Sequence, residues 1–168
     1  MNTHRCTRML RHALLALTLA LGGMGLAQAA NPSMLKDFNF DKPAFIHDLP
    51  FAQYKLVLQI DEDNPALWNL ALNNAQNVLD YFGQEKARII IVAFGPGLKM
   101  FLKDSPVGDR IAAQNAEGIE FDACHNTMEA MAKKIGHMPV LVPDAVIVPA
   151  GVVRIMQLEK AGFAYIRP

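Results

Sequence analysis

From position 55 onward, apolar residues alternate between short continuous runs and longer stripes at helical spacing. Lys55-Leu56-Val57-Leu58-Gln59-Ile60 predicts a strand. Asp61-Glu62-Asp63-Asn64-Pro65 predicts a turn into a helix, with Asn64 as its cap and Pro65 at the first helical position. Leu67, Leu70, Ala71, Asn74, Ala75, Val78 and Leu79 recur at helical spacing and predict its inward face; Gly83 closes it. Trp68 belongs to that packing or to an interface. Ala87 to Phe94 is a continuous apolar run of the kind buried on both faces of a parallel sheet. Gly95-Pro96-Gly97 follows as a tight turn into a helix from Leu98 to Lys103. Ser105-Pro106 opens another helix, through Ile111 to about Glu117, ended by Gly118. The run from Gly118 to Ala123 predicts a strand that stops at Cys124, and a helix from Thr127 to about Ile135 comes next. Ala145 to Pro149 predicts a strand, and Gly151 to Ala161 a helix with Val152, Ile155, Met156 and Leu158 on its apolar side. Gly162 ends that helix, and Phe163 to Ile166 predicts a last strand.

Strands alternating with helices imply an α/β domain: a mostly parallel sheet of about five strands with helices on both faces. The domain spans 55–168. Residues 31–54 read as an extended arm, in which Pro32, Pro43 and Pro50 prevent a long helix. Phe38, Phe40, Phe45 and Phe51 are expected to pin the arm to the domain or to a neighbouring subunit, and His47 reads as a surface residue. Residues 1–30 read as a cleavable secretory leader. Arg5, Arg8 and Arg11 precede an apolar run from Ala13 to Leu21, and Ala27-Gln28-Ala29 sets a cut after Ala29 or Ala30. That run is too short for a membrane anchor. The mature protein is expected in a bacterial periplasm, with no membrane association.

Composition sharpens this picture. The 168 residues suffice for one domain with a real core. Without the three leader arginines, 13 basic residues stand against 16 acidic ones, a formal charge of −3. No basic stripe with interleaved aromatics suggests nucleic acid as a partner. Asp61, Glu62 and Asp63 read as a solvated charge cluster at a helix N-terminus rather than a cation site.

The candidate chemistry centres on Cys124. Cys6 leaves with the leader, so Cys124 is the lone thiol of the mature chain. Asn126 or Thr127 suits an N-cap, and Glu129 follows Asn126 by three residues as in a capping box. Cys124 would then lie at the carboxyl end of a strand, against a helix N-terminus whose N–H groups and dipole stabilise a thiolate. The competing reading is a small buried hydrophobe. Gly95, Pro96 and Gly97, His125, Asn126 and Thr127, and the Pro149-Ala150-Gly151 loop converge at the same end of the sheet, where ligands of such folds bind. Arg154, one turn into the last helix, would pair with a bound anion, with the Cys124 thiolate, with Glu159 or with a neighbour. Met128, Met131, Met138, His125 and His137 raise a copper or zinc site, but no zinc-type ligand spacing exists, and no metal or other cofactor is expected.

Five runs taken together carry a family resemblance. They are Leu56-Val57-Leu58-Gln59-Ile60, Trp68-Asn69-Leu70-Ala71-Leu72-Asn73-Asn74, Val92-Ala93-Phe94-Gly95-Pro96-Gly97-Leu98, Ala123-Cys124-His125-Asn126-Thr127-Met128 and Val148-Pro149-Ala150-Gly151-Val152-Val153-Arg154-Ile155. In this combination the chain resembles the DsrE/DsrF-like sulfur-relay family, and its exported branch in particular. The resemblance implies a three-layer α/β/α fold, assembly into homotrimers or hexamers, and a cysteine that carries a persulfide between a sulfur donor and an acceptor. These would be proteins or small sulfane-sulfur compounds. Cys124 matches the cysteine of that branch's Cys-x-Asn-Thr motif. The alternative function is a non-catalytic oligomeric binding module with a structural cysteine.

Overall fold

The computed structural model describes residues 34–36 and 38–168; the expected leader and its cut lie outside the described residues. The elements run in the order β1 (Tyr54–Ile60), α1 (Pro65–Phe82), β2 (Ala87–Ala93), a 3₁₀ helix (Gly95–Phe101), α2 (Gly108–Ala116), β3 (Glu120–Cys124), α3 (His125–Ile135), β4 (Ala145–Val148), α4 (Gly151–Lys160) and β5 (Ala164–Ile166). All five strands are parallel, in the order β4-β3-β2-β1-β5.

One face of the sheet packs on α1, the 3₁₀ helix, α2 and α3 through a core that includes Leu58, Ile91, Phe121, Trp68, Leu72, Phe101, Ile111 and Met128. The other face packs on α4, where Val57, Ile90 and Val92 meet Ile155, Leu158 and Phe163. This is the three-layer α/β/α fold expected from the alternation of strands and helices. The arm closes the α4 side: Leu35, Phe38 and Ala44 pack on Val146 and Val148, and Phe45 stacks on Phe163 with ring centroids 5.9 Å apart. Phe40 and Phe51 are exposed and hold nothing down by burial.

Several local expectations hold. Asn64 caps α1 by accepting from the Ala66 N–H at 3.1 Å, and Pro65 opens the helix. Gly83 ends it at a φ of 87°.

Others are corrected. The inward face of α1 is Trp68, Ala71, Leu72, Ala75 and Leu79; Leu70 points outward, and Trp68 is anchored by its indole N–H on the Glu62 carbonyl at 2.8 Å. The glycine loop does not precede a helix at Leu98; it is itself the first turn of a 3₁₀ helix. The apolar side of α4 holds in part: Ile155 and Leu158 of the predicted stripe are buried. Val152 and Met156 are exposed, while Arg154, Ile155, Gln157 and Leu158 face inward. The sheet surface beneath α4 carries Glu120 and Asp122, and a helix covering two carboxylates must turn donors towards them.

The acidic cluster before α1 is paired: Asp63 with Lys99, and Asp61 and Glu62 with Arg167. Among the described residues, no helix is long and apolar enough to cross a membrane.

Candidate functional site at the end of strand β3

The connections after β1, β2 and β3 all cover one face, and the connection after β4 covers the other. The crevice where the chain changes sides therefore opens between the carboxyl ends of β3 and β4, the place where open parallel sheets bind ligands. Cys124 and Val148, paired in register, are the last residues of those two strands. Above them the chain is drawn together by the Asn126 N–H, which donates to the Pro149 carbonyl at 3.3 Å.

Cys124 is itself the N-cap of α3, in extended conformation at φ −71° and ψ 114°. This corrects the capping expectation for Asn126 and Thr127. The chain passes from strand to helix without a loop, so neither residue lies outside the helix. Thr127 instead accepts the Gly95 N–H on its Oγ1 at 3.0 Å, locking the glycine loop to α3. Glu129 forms no capping box; its carboxylate lies 4.0 Å from Nδ1 of His125, one turn earlier. No side chain caps α3 or α4 among the described residues.

Alternation along β3 decides where the thiol points. Phe121 and Ala123 enter the core on the α1 side, so Glu120, Asp122 and Cys124 face α4. Gly151, the first residue of α4, lies against Cys124: a Cβ built there would be 3.3 Å from the Cys124 Cβ and 3.0 Å from Phe94. A larger residue there would press on the cysteine and the Phe94 side chain, and glycine lets α4 begin close to both. Cys124 is a free thiol with 5% of its surface exposed, set between the first turns of two helices.

Gly97 serves a different purpose. An added Cβ would stand 2.4 Å from the Ile60 carbonyl oxygen, so this glycine permits the close approach of the 3₁₀ helix to β1. Gly95, Pro96, Asn126 and Thr127 do line a common groove of about 580 Å³, with Lys99, Met131 and Lys134 among its other walls, and its surface is mostly apolar. Met128 is core, and His137 bonds the Met138 carbonyl. Among the described residues, no cluster of three His, Cys, Asp or Glu side chains is placed to hold a metal.

Arg154 does not face the groove, nor does it pair with Glu159. It is fully buried, and Nε donates to Asp122 Oδ2 at 2.7 Å, Nη2 to Glu120 Oε1 at 2.8 Å and to the Ala44 carbonyl at 3.0 Å, and Nη1 to Gln157 Oε1 at 2.6 Å. A guanidinium so engaged is not free for a bound anion. The arm completes this cluster, because the Ile46 N–H donates to Glu120 Oε2 at 2.9 Å and Gln157 donates to the Asn39 carbonyl. Burial, then the neighbouring Glu120, raises the Asp122 carboxyl well above its ordinary 3.8, against the pull of Arg154. Reading the sequence for motifs passed over Glu120, Asp122 and Gln157. The available signal was Glu120-Phe121-Asp122, two carboxylates on one face of a strand with no solvent face.

No protein-family model and no curated protein matches the chain. Among solved structures, a conserved protein of unknown function from Bacteroides thetaiotaomicron is 19% identical, with a TM-score of 0.45 over 68% of this chain and 94% of its own. A protein of unknown function from Methanobacterium thermoautotrophicum superposes with a TM-score of 0.63 at 31% identity, over 69% of this chain and 100% of its own. With identity of that order across the whole of the archaeal protein, this chain belongs to the same family.

Proposed function

We propose that the protein is an exported, homo-oligomeric sulfur carrier of the DsrE/DsrF-like type, working in the periplasm through Cys124. The observation that carries this reading is the position of Cys124: a free thiol at the switch point of the sheet, between the uncapped first turns of α3 and α4. Cys124 is the N-cap residue of α3, and Gly151 opens α4 against it, so two helix N-termini meet beside one free thiol, a setting in which reactive cysteines recur.

In the transfer, the Cys124 thiolate attacks the outer sulfur of a donor persulfide, R–S–SH. The donor S–S bond breaks, R–S⁻ leaves, and Cys124 holds the outer sulfur as Cys–S–SH. An acceptor thiolate then attacks that outer sulfur, becomes the new persulfide and releases the Cys124 thiolate. No net oxidation occurs, and no cofactor is needed. Cys124 does not line the groove beside α3, so a donor or acceptor would have to reach the thiol between the first turns of α3 and α4.

The test is intact mass of the mature, non-reduced protein after exposure to polysulfide, with Cys124→Ser beside it. The carrier gains a sulfur-sized mass that reductant removes, and the variant gains none. A Cys124→Ser protein that still loads and passes on sulfur overturns the reading.

A second reading rests on the burial of Cys124 at 5% exposure. In an oligomeric binding module the thiol would be a core residue, silent to a maleimide until the protein unfolds. Labelling of the folded protein separates the two.

A further inference from the structure

Cys124 and Gly151 form one rung of the β3–α4 interface, and Asp122 and Arg154 form the next. Asp122 precedes Cys124 by two residues on the same face of β3, about 6.6 Å along the strand. Arg154 follows Gly151 by one helical turn and bonds Asp122 directly. The thiol therefore sits immediately above a buried ionic cluster.

The charges of that cluster do not balance as drawn. Glu120 and Asp122 bring two negative charges and Arg154 one positive, and the three side chains are between 0% and 3% exposed. A net negative charge in that setting is expensive to desolvate. Among the described residues, Asp122 Oδ1 has no hydrogen-bond partner although it is buried, while its other oxygen accepts from Arg154. One proton resolves both problems. Placed on Asp122, it brings the cluster to neutrality and turns the unpartnered oxygen into a donor, with the Glu120 carboxylate as its neighbour two residues back on the same face.

We propose that the Glu120–Asp122–Arg154 unit holds one acid proton, on Asp122, and so places no net charge beneath the Cys124 thiol. The raised ionisation of the Asp122 carboxyl agrees with this arrangement. The charged and titratable groups around it are Glu120 and Cys124 on its own strand, Arg154 on α4, and Arg88 of β2, which feels Glu120 more than Asp48 of the arm and whose guanidinium donates to the His47 and Leu49 carbonyls rather than to either carboxylate. The neutral unit lets an anion form on Cys124 without a second uncompensated charge one rung below. Its relevance to function rests on the sulfur-carrier reading; its protonation state does not.

Two measurements test it, neither requiring sulfur transfer. The first is the ¹³C carboxyl resonance of Asp122, assigned by its loss in Asp122→Asn. At neutral pH it is expected at the position of a protonated acid; a carboxylate position overturns the proposal. Should Asp122→Asn fail to fold, assignment by sequential connectivity in the wild type decides the same question. The second is the pH profile of Cys124 alkylation. Asp122→Asn replaces a neutral group with a neutral group, so the midpoint is expected to stay within about 0.3 pH units of wild type. A fall of about one unit would mean that a negative charge had been removed, and would overturn the proposal. Persulfide loading measured beside these stands or falls separately.

Discussion

Gly97 and Asp122 show what single residues fix at the two ends of the site. Any side chain at Gly97 meets backbone, not a flexible neighbour, because the Ile60 carbonyl stands 2.4 Å from where a Cβ would be. Gly97→Ala is expected to destabilise the fold by about 3 kcal/mol, read from the shift in urea midpoint, since neither the 3₁₀ helix nor β1 can move without breaking its neighbours. Asp122 makes a prediction in pH. Its folded-state ionisation lies above its ordinary 3.8, so between those two values the folded protein binds the proton more tightly than the unfolded chain does. Its contribution to stability is complete below 3.8 and is lost as pH rises through the raised folded-state value. Stability from Asp122 thus falls with rising pH, the reverse of the usual salt-bridged carboxylate. Denaturation series at several pH values should show that slope in the wild type and a flatter one in Asp122→Asn.

At the scale of elements, the arm behaves as a structural part of the α4 layer. Phe45 stacks on Phe163 and lies beneath the Arg88 guanidinium, 4.2 Å from its ring centroid. Phe45→Ala should lower stability by about 2–3 kcal/mol in denaturant titration, with far-UV circular dichroism unchanged, because the described arm residues before Tyr54 form no helix or named strand. The strands and most helices were legible because their signals are local: β2 is a continuous apolar run, and Asn64-Pro65 and Gly83 punctuate α1. The register of a helix on its axis is not local. The outward turn of Leu70 depends on Trp68 reaching Glu62, and that of Val152 and Met156 on carboxylates carried by another element. The same limit applied to the site. Cys124, the glycine loop and the Asn126-Thr127 turn could be brought to one end of the sheet from topology alone. That Cys124 faces α4, and that Arg154 serves Asp122 and not the thiol, follows only from which face of β3 meets which helix.

For the molecule as a whole, the uncovered apolar surface sets an expectation about assembly. Val152 and Met156 are 54% and 53% exposed on one side of α4, with Val153 beside them. Contiguous patches of this kind mark interaction surfaces. If the protein is a homo-oligomer, this face is expected to lie in its interface, and Met156→Glu should reduce the mass found by sedimentation equilibrium while leaving the monomer's denaturation curve within about 0.5 kcal/mol of wild type. An unchanged mass would place this face outside the interface.

The buried cluster also bears on the order in which the chain can fold. Arg154 is made 32 residues after Asp122 and 34 after Glu120, so β3 emerges during synthesis with two carboxylates and no guanidinium to receive them. A nascent chain that ends before α4 would have to bury both carboxyl groups, Glu120 as an anion, with no guanidinium to receive them, and β1 likewise waits for β5 to close its outer edge. The sheet is therefore expected to condense late and in one step, with β3 and α4 entering together. Interactions so distant along the chain give a slow folder, and substitutions at Arg154 should retard folding more than they hasten unfolding.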